Sequence, residues 1–591
     1  MQSPLESLVP RPRRVVPGAG VLPLGAAGAI VVEGAPDDVR PALDALQRAL
    51  GPGWQPPGAR ASLPAGGSGL VFRIVPQVAG PQSYRLRIAP DGVCAEAQDR
   101  AGLFYAALTF AQLLRLSDGR LPLCEIADAP DFPARGVMLD ISRDKVPTMA
   151  TLFGLVDTLA GLKINQFQLY TEHTFAYRGH EEVWRDASPM TAEEIRALDT
   201  YCRERCVELV PNQNSFGHLE RWLTLPRYNG LAELPQGGAP LPWGGTHEKP
   251  TSLCPTDPRS VGFLAGLYGE LLPNFSSRLF NVGCDETFDL RGNGRSHALV
   301  KQAGEGRVYL DFLKKIHGLV AGHGRQMAFW GDIIIRHPEL VGELPRDVLA
   351  LEWGYEADHP FDAHGAQFAA AGVPFYVCPG TSSWNSLAGR TANMIGNLRS
   401  AAENGLKHGA CGYLVTDWGD GGHWQPLCVS YAGFLYGAAL SWCVSGNRDL
   451  RLAEALDTHL AEGFGQALLE LGDVYRVCGA LRGNGTELFQ ILSKPRTRAV
   501  AQGVTPETLC AVLSSVAEAE QVVRLLRAAC HRGLALLDGG RFERPEARQA
   551  LAAELDGLAE AHGRVWRLRN REGGLRDSLA RLLSLRDEYV S

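Results

Sequence analysis

The chain has 591 residues, 45% hydrophobic and 21% charged, with 67 glycines and a formal net charge of −7. This is the composition of a loop-rich globular protein with a large core, long enough for a barrel of about 250 residues and flanking domains. The charge leaves no basic footprint for nucleic acid and no polybasic membrane patch, and no run is apolar and long enough to span a bilayer. Prolines and arginines in the opening MQSPLESLVPRPRR interrupt any secretory core, so the expected location is the cytoplasm. Thirteen scattered cysteines without Cys-x-x-Cys spacing read as reduced core residues, not as a disulfide framework or a zinc site.

Residues 1–130 read as a small α+β domain. A helix is expected over 37–50, with Val39, Leu43, Leu46 and Leu50 on one face. The alternating run 84–88, an Asp91-Gly92 turn and a return from Val93 predict a hairpin, and the apolar stretch from Ala101 predicts a buried helix.

Over 131–445, short apolar runs alternate with amphipathic segments. The runs are 137–141, 164–170, 207–213, 279–283, 327–330, 348–353, 374–378 and 413–416, with helices such as 152–162 and one opened by a Thr191-Glu194 capping box between them. Eight such units predict an α/β fold of the (β/α)8 TIM barrel type. Residues 446–591 form a helical C-terminal region, with long helices over 516–537 and 551–571 that pack on the barrel or make a subunit contact, as in a homodimer.

Barrel active sites gather where strands end, so the residues there carry the chemistry. Asp285 and Glu286 follow the fourth run directly. Adjacent acids in a low-dielectric cleft repel, which splits their proton affinities and suits acid/base work; the alternative is a solvated helix start. Other strand ends bring Asp140 and Arg143, Glu172 and His173, His218, Trp330 and Asp332, Glu352, Trp353 and Tyr355, Tyr376 and Trp384, and Asp417, Trp418 and Asp420; Arg135 precedes its run. Carboxylates among tryptophans suit a sugar, whose apolar face stacks on rings while its hydroxyls need charged partners. His173, His180, His218 and His423 lack metal-ligand spacing, so neither metal nor cofactor is expected.

The order RGVMLDISR, PNQNSFGH, LCPTDP, NVGCDE, FWGD and TDWGD over 116–442 resembles glycoside hydrolase family 20, the β-N-acetylhexosaminidases. The resemblance implies an exo-acting, retaining hydrolysis of a terminal N-acetylhexosamine on a small oligosaccharide or glycoconjugate, in which the substrate's acetamido oxygen is the nucleophile. It assigns Glu286 as acid and base and Asp285 to the acetamido nitrogen. Arg135 and Asp420 take ring hydroxyls, His218 supports Glu286, and Tyr376 bonds the acetamido oxygen. Trp330, Trp353 and Trp418 wall the sugar, while Glu172, His173 and Trp384 lie near its 4- and 6-hydroxyls. Asn281 and Cys284 replace a His and a Gly of the family's His-x-Gly-Gly-Asp-Glu, the second strand ends in QLYTEHTF, and Cys378 stands where an Asp often follows the tyrosine, marking a divergent branch with either the gluco or the galacto sugar as substrate. Two other readings stay open: a retaining glycosidase with Asp332 or Glu172 as nucleophile, and a barrel that binds sugar without cleaving it.

Overall fold

The computed structural model describes residues 3–55, 69–75, 77–78, 80–495, 500–515, 520–538 and 544–590. Its N-terminal part is a seven-stranded mixed sheet of β1 (Arg14–Pro23), β2 (Gly28–Glu33), β3 (Trp54–Gln55), β4 (Gly69–Ile74), β5 (Tyr84–Ala89), β6 (Gly92–Ala97) and β7 (Arg120–Asp128), in the order β1-β7-β5-β6-β4-β2-β3. The expected hairpin is the antiparallel β5–β6 pair. Helix α1 (Pro36–Leu50) buries Val39 and Leu46 and half-buries Leu43 and Leu50. Helix α2 (Arg100–Leu116) is capped by Asp99, whose side chain accepts from the Gly102 amide, and its apolar surface is buried nearly all round.

The barrel strands are β8 (Ala134–Asp140), β9 (Gln166–Tyr170) and β10 (Glu208–Val210), then, after the short ribbon β11 (Ala239–Pro240) and β12 (Thr246–His247), β13 (Leu279–Asn281), β14 (Gln326–Trp330), β15 (Leu349–Trp353), β16 (Phe375–Cys378) and β17 (Gly412–Asp417). All neighbours pair in parallel, in the order β10-β9-β8-β17-β16-β15-β14-β13, and a parallel bridge from Asn212 to Asn281 joins the two ends. All eight expected runs coincide with these strands, and the Thr191-Glu194 capping box forms with both of its hydrogen bonds. Strand alternation separates two sets of buried side chains. Met138, Tyr170, Trp330, Leu351, Tyr376 and Leu414 fill the barrel interior, while Val137, Leu139, Phe329, Ala350 and Val415 meet the surrounding helices.

The C-terminal helices include Glu520–Leu537, Pro545–Arg569 and Leu575–Val590; of the expected 516–537 helix, residues 516–519 lie outside the described residues. Their core incorporates Leu387, Ala388 and Trp424 from the barrel's C-terminal loops. Ser578 Oγ donates to the Gly422 carbonyl at 2.7 Å, Arg221 meets Asp577 at 2.8 Å, and the Asn484 side chain accepts from Trp384 Nε1 at 2.8 Å. This C-terminal region therefore braces the loops that follow strands three, seven and eight.

Candidate active site

The chain leaves β13 through a tight, left-handed turn. Gly283, Cys284 and Glu286 have φ of 67°, 72° and 48°, and a Cβ on Gly283 would lie 2.0 Å from Asn214 Oδ1. A non-glycine residue held there costs of order 1–3 kcal/mol, so neighbours must enforce the path. The Trp330 amide donates to Gly283 O at 2.9 Å and Tyr309 donates to Cys284 O at 3.0 Å. The third-strand loop closes against the same turn, because a Cβ on Gly217 would lie 2.4 Å from Asp285 O. Next to that glycine stands His218, itself at φ 57°.

His218 Nε2 lies 3.1 Å from Asp285 Oδ2 and 3.4 Å from Glu286 Oε2, so one imidazole bridges both adjacent carboxylates. Burial alone would lower the His218 pKa, but Asp285 and Glu286 outweigh it and hold the ring well above its usual range, as an imidazolium. Its other nitrogen faces Arg143 Nη2 at 3.4 Å and Glu172 Oε1 at 3.8 Å. Arg143 in turn pairs with Asp140 at 3.1 Å and Glu172 at 3.2 Å, its guanidinium lying against the rings of Tyr170 and Trp418. Tyr170 donates to Glu172 at 2.9 Å. Burial pushes the Glu172 carboxyl up against the opposing pull of Arg143 and His218. At the edge of this cluster burial raises Asp420 to about 6, Arg143 again opposing it.

Asp332, two residues past β14, accepts from the Glu286 amide at 3.4 Å. Burial, then the charges of Asp285 and Glu286, hold its carboxyl well above the usual range. The aromatic wall comes from four successive strand ends. Trp330 and Trp418 have ring centroids 6.1 Å apart, Trp353 stacks on Tyr355 at 5.1 Å, and Trp384 meets Tyr355 edge-on at 5.0 Å. Trp418 Nε1 donates to the Tyr355 hydroxyl at 2.7 Å. Among the described residues, Asp285 Oδ1, Asp332 Oδ1, Trp330 Nε1 and Trp353 Nε1 are buried without a hydrogen-bond partner, an unusual concentration of unmet polar groups around one mouth.

Of the expected site residues, Asp285, Glu286, Glu172, His218, Trp330, Trp353, Trp384, Trp418 and Asp420 thus belong to this mouth or its wall. Arg135 and Tyr376 do not. Arg135 is the second residue of β8, at the barrel's opposite end and fully buried; its guanidinium donates to Lys163 O at 2.9 Å, Gln82 Oε1 at 2.8 Å, Phe132 O at 2.9 Å and the Tyr105 hydroxyl at 3.0 Å. Tyr376 faces the barrel interior but at its floor, because it pairs with Gly412, the first residue of β17, and its hydroxyl meets Gln166, the first residue of β9. A side chain's height in a barrel follows its place along the strand, and both residues stand near strand starts. The arginine at the mouth is Arg143, three residues past the end of β8, and the tyrosine is Tyr355, two past β15. Their signal was position alone: each follows its apolar run.

Three metal-ligating side chains bring their donor atoms within 4.8 Å of one another, among the described residues, only at Glu352, His359 and His364, outside the barrel wall.

Fold and site together define a (β/α)8 barrel protein with a histidine-bridged carboxylate pair and an aromatic wall at its C-terminal mouth. Residues 132–385 match the model of the glycosyl hydrolase family 20 catalytic domain, and residues 6–129 match that family's domain 2. The chain belongs to glycoside hydrolase family 20. It is 27% identical over 287 residues to a β-hexosaminidase of Akkermansia muciniphila, an alignment covering 43% of this chain and 57% of that protein. It is also 23% identical over 287 residues to a lacto-N-biosidase of Bifidobacterium bifidum, covering 46% of this chain and 24% of that one. The aligned part thus spans about half or less of these relatives' lengths. The solved Flavobacterium johnsoniae chitobiase shares the fold with a TM-score of 0.63 at 17% identity, covering 99% of this chain and 100% of that one.

Proposed function

We propose that this protein is an exo-acting, retaining β-N-acetylhexosaminidase that works by substrate assistance. The observation that carries the reading is the adjacent Asp285 and Glu286 bridged by His218 at 3.1 and 3.4 Å. In the first step the acetamido oxygen of the bound sugar attacks C1, the C1–O bond to the leaving group breaks, and the departing oxygen takes the proton of Glu286. Asp285 faces the acetamido nitrogen and stabilises the positive charge that develops as the oxazolinium ring closes. In the second step water attacks C1, Glu286 takes its proton, and the ring reopens with the original anomeric configuration.

Arg143 replaces Arg135 as the donor to ring hydroxyls, with Glu172 and Asp420 as acceptors beside it. Tyr355 replaces Tyr376 at the acetamido oxygen, its hydroxyl held at the mouth by the Trp418 indole. The state of Asp332 favours substrate assistance over an enzyme nucleophile. Burial and two neighbouring acids push its carboxyl up, which disfavours the carboxylate form that an enzyme nucleophile needs. Glu172 is likewise occupied, by Arg143 and Tyr170.

The reading is tested with aryl β-glycosides, with and without a 2-acetamido group and in gluco and galacto forms, together with a thiazoline mimic of the cyclic intermediate. Cleavage confined to the acetamido sugars, a β-configured first product and thiazoline binding far tighter than that of the plain sugar are expected. Comparable turnover of the 2-hydroxy glycosides with no thiazoline inhibition overturns it.

A further inference from the structure

On β15 the inward residues Leu349, Leu351 and Trp353 join the barrel interior, so Glu352 points outward, toward the helix Phe361–Ala371. A carboxylate there is out of place: its side chain is 2% exposed in a layer otherwise built from residues such as Ala350, Phe361 and Phe368. Two histidines converge on a single one of its oxygens. His359 Nε2 lies 2.8 Å and His364 Nδ1 2.6 Å from Glu352 Oε1, with the imidazole planes at 81° to each other. The rings are 19% and 24% exposed, so the cluster is closed by protein behind and open to solvent in front. The backbone is shaped around it as well: a Cβ on Gly354 would lie 2.0 Å from His359 Nδ1.

We propose that Glu352, His359 and His364 form a binding site for a zinc-class divalent cation, with Glu352 Oε1, His359 Nε2 and His364 Nδ1 as protein ligands and solvent completing the shell. Two imidazoles and one carboxylate suit zinc and its later first-row neighbours rather than calcium or magnesium, which prefer all-oxygen shells. At zinc bond lengths of about 2.0–2.2 Å, tetrahedral ligand atoms stand about 3.3 Å apart. The pairs at 2.8 and 2.6 Å therefore open by roughly half an ångström, a small rotation of the Glu352 carboxylate. The site lies on the outer face of β15 and not inside the barrel, so its role is structural. It fastens the segment after β15, which carries the wall residue Tyr355 and also Glu356, the partner of Arg390 at 2.8 Å and of the Asn484 amide at 2.7 Å. This inference does not depend on the proposed hydrolase activity.

The test begins with the full chain stripped by chelator, dialysed and titrated calorimetrically with Zn2+, then with Co2+ followed by its ligand-field absorption. One equivalent per chain, a four- or five-coordinate Co2+ spectrum and a higher Tm with metal are expected. His359→Ala and His364→Ala should each weaken binding by about 10²-fold or more, the loss of an inner ligand exceeding the 10–100-fold typical of an outer one. If the variants fail to fold, zinc-edge X-ray absorption of the wild-type protein decides alone: two imidazoles and light-atom oxygen support the site, and sulfur scatterers or no bound zinc overturn it. Stoichiometric binding that survives in a folded double variant also overturns it, and the three side chains are then a hydrogen-bonded trio only.

Discussion

The two ends of the barrel each bury a cluster of charged side chains, and they are built in opposite ways. At the floor, Asp128 accepts from Tyr84 at 2.7 Å, Lys163 at 3.1 Å and Trp442 Nε1 at 2.9 Å, while every nitrogen of Arg135 donates to an oxygen of the floor or of the N-terminal sheet domain. Of the left-handed residues there, Lys163 closes the helix before it, its amide donating to Ala160 O at 2.8 Å, while Gln82 stands in the turn before β5. At the mouth, Asp285, Asp332, Trp330 and Trp353 each keep a buried polar atom without a partner. A satisfied cluster staples domains together, whereas an unsatisfied one has its partners still to come from a ligand. The same residue type therefore means structure at one end and chemistry at the other.

The sharpest way to break this comparison is Glu286→Gln. Turnover should fall by about 10²- to 10⁴-fold, the range for a lost general acid, while Tm stays at or slightly above the wild-type value because one member of a crowded acid cluster is neutralised. Activated leaving groups should lose less than poor ones. Equal losses across a leaving-group series, or a collapse of Tm, would take Glu286 out of the acid role.

The two arginines give the most direct contrast. Arg135→Met leaves the carbonyls of Lys163 and Phe132 and the Tyr105 hydroxyl without their buried donor, at about 1–3 kcal/mol for each group left unsatisfied. Denaturant melts should show that loss, with the activity per folded molecule unchanged. Arg143→Met should also cost stability, by about 3–5 kcal/mol, because it leaves the buried Asp140 and Glu172 carboxylates unpaired, but here KM should rise as well, by about 10-fold or more, as a hydroxyl donor worth about 1.5–3 kcal/mol is lost. An unchanged KM in folded Arg143→Met would mean that this arginine staples the mouth as Arg135 staples the floor.

How much was legible in the sequence follows the same division. All eight strands could be read because a buried parallel strand is a continuous apolar run, and Asp285 and Glu286 could be read because they follow one directly. Arg135 and Tyr376 misled for a geometric reason. Residue type and an adjacent apolar run say that a side chain enters the barrel region, but not at which height, and only the few residues of one strand separate floor from mouth. Position relative to the run's end carries that information, and it points to Arg143 and Tyr355. The histidine pair at Glu352 was hidden differently: the three ligand atoms come from a strand, the loop after it and the start of the next helix, and only the outward face of β15 brings them together.

Asp285→Asn sharpens the distinction within the mouth. Its charge matters most when the acetamido nitrogen is positive, so the rate of the chemical step should fall by about 10²-fold or more, with affinity for the plain product sugar changed much less. The thiazoline mimic should weaken along with the rate. Normal thiazoline affinity in this variant would make Asp285 a structural neighbour of Glu286.

The smallest expected effect concerns Asp420, at the margin of the cluster. Burial raises its carboxyl to about 6, so between an unfolded value near 4 and that point the folded state binds the proton more tightly than the unfolded chain. Stability tied to this group is therefore fully present below about pH 4, is lost as the pH climbs toward 6, and stays lost above it. Asp420→Asn removes the titration. The difference in Tm between variant and wild type should be near zero at pH 4, grow in the variant's favour up to pH 6 and level off beyond, reaching a difference on the order of 1 kcal/mol once partial solvent access is allowed for. Activity should move the other way, because the amide cannot offer the same charged acceptor to a hydroxyl, and KM should rise several-fold. Parallel thermal scans of the two proteins from pH 4 to 8 decide the point: a variant less stable at pH 7 would show that Arg143 holds Asp420 as a structural ion pair, and the margin of the site would then belong with the satisfied floor rather than with the open mouth.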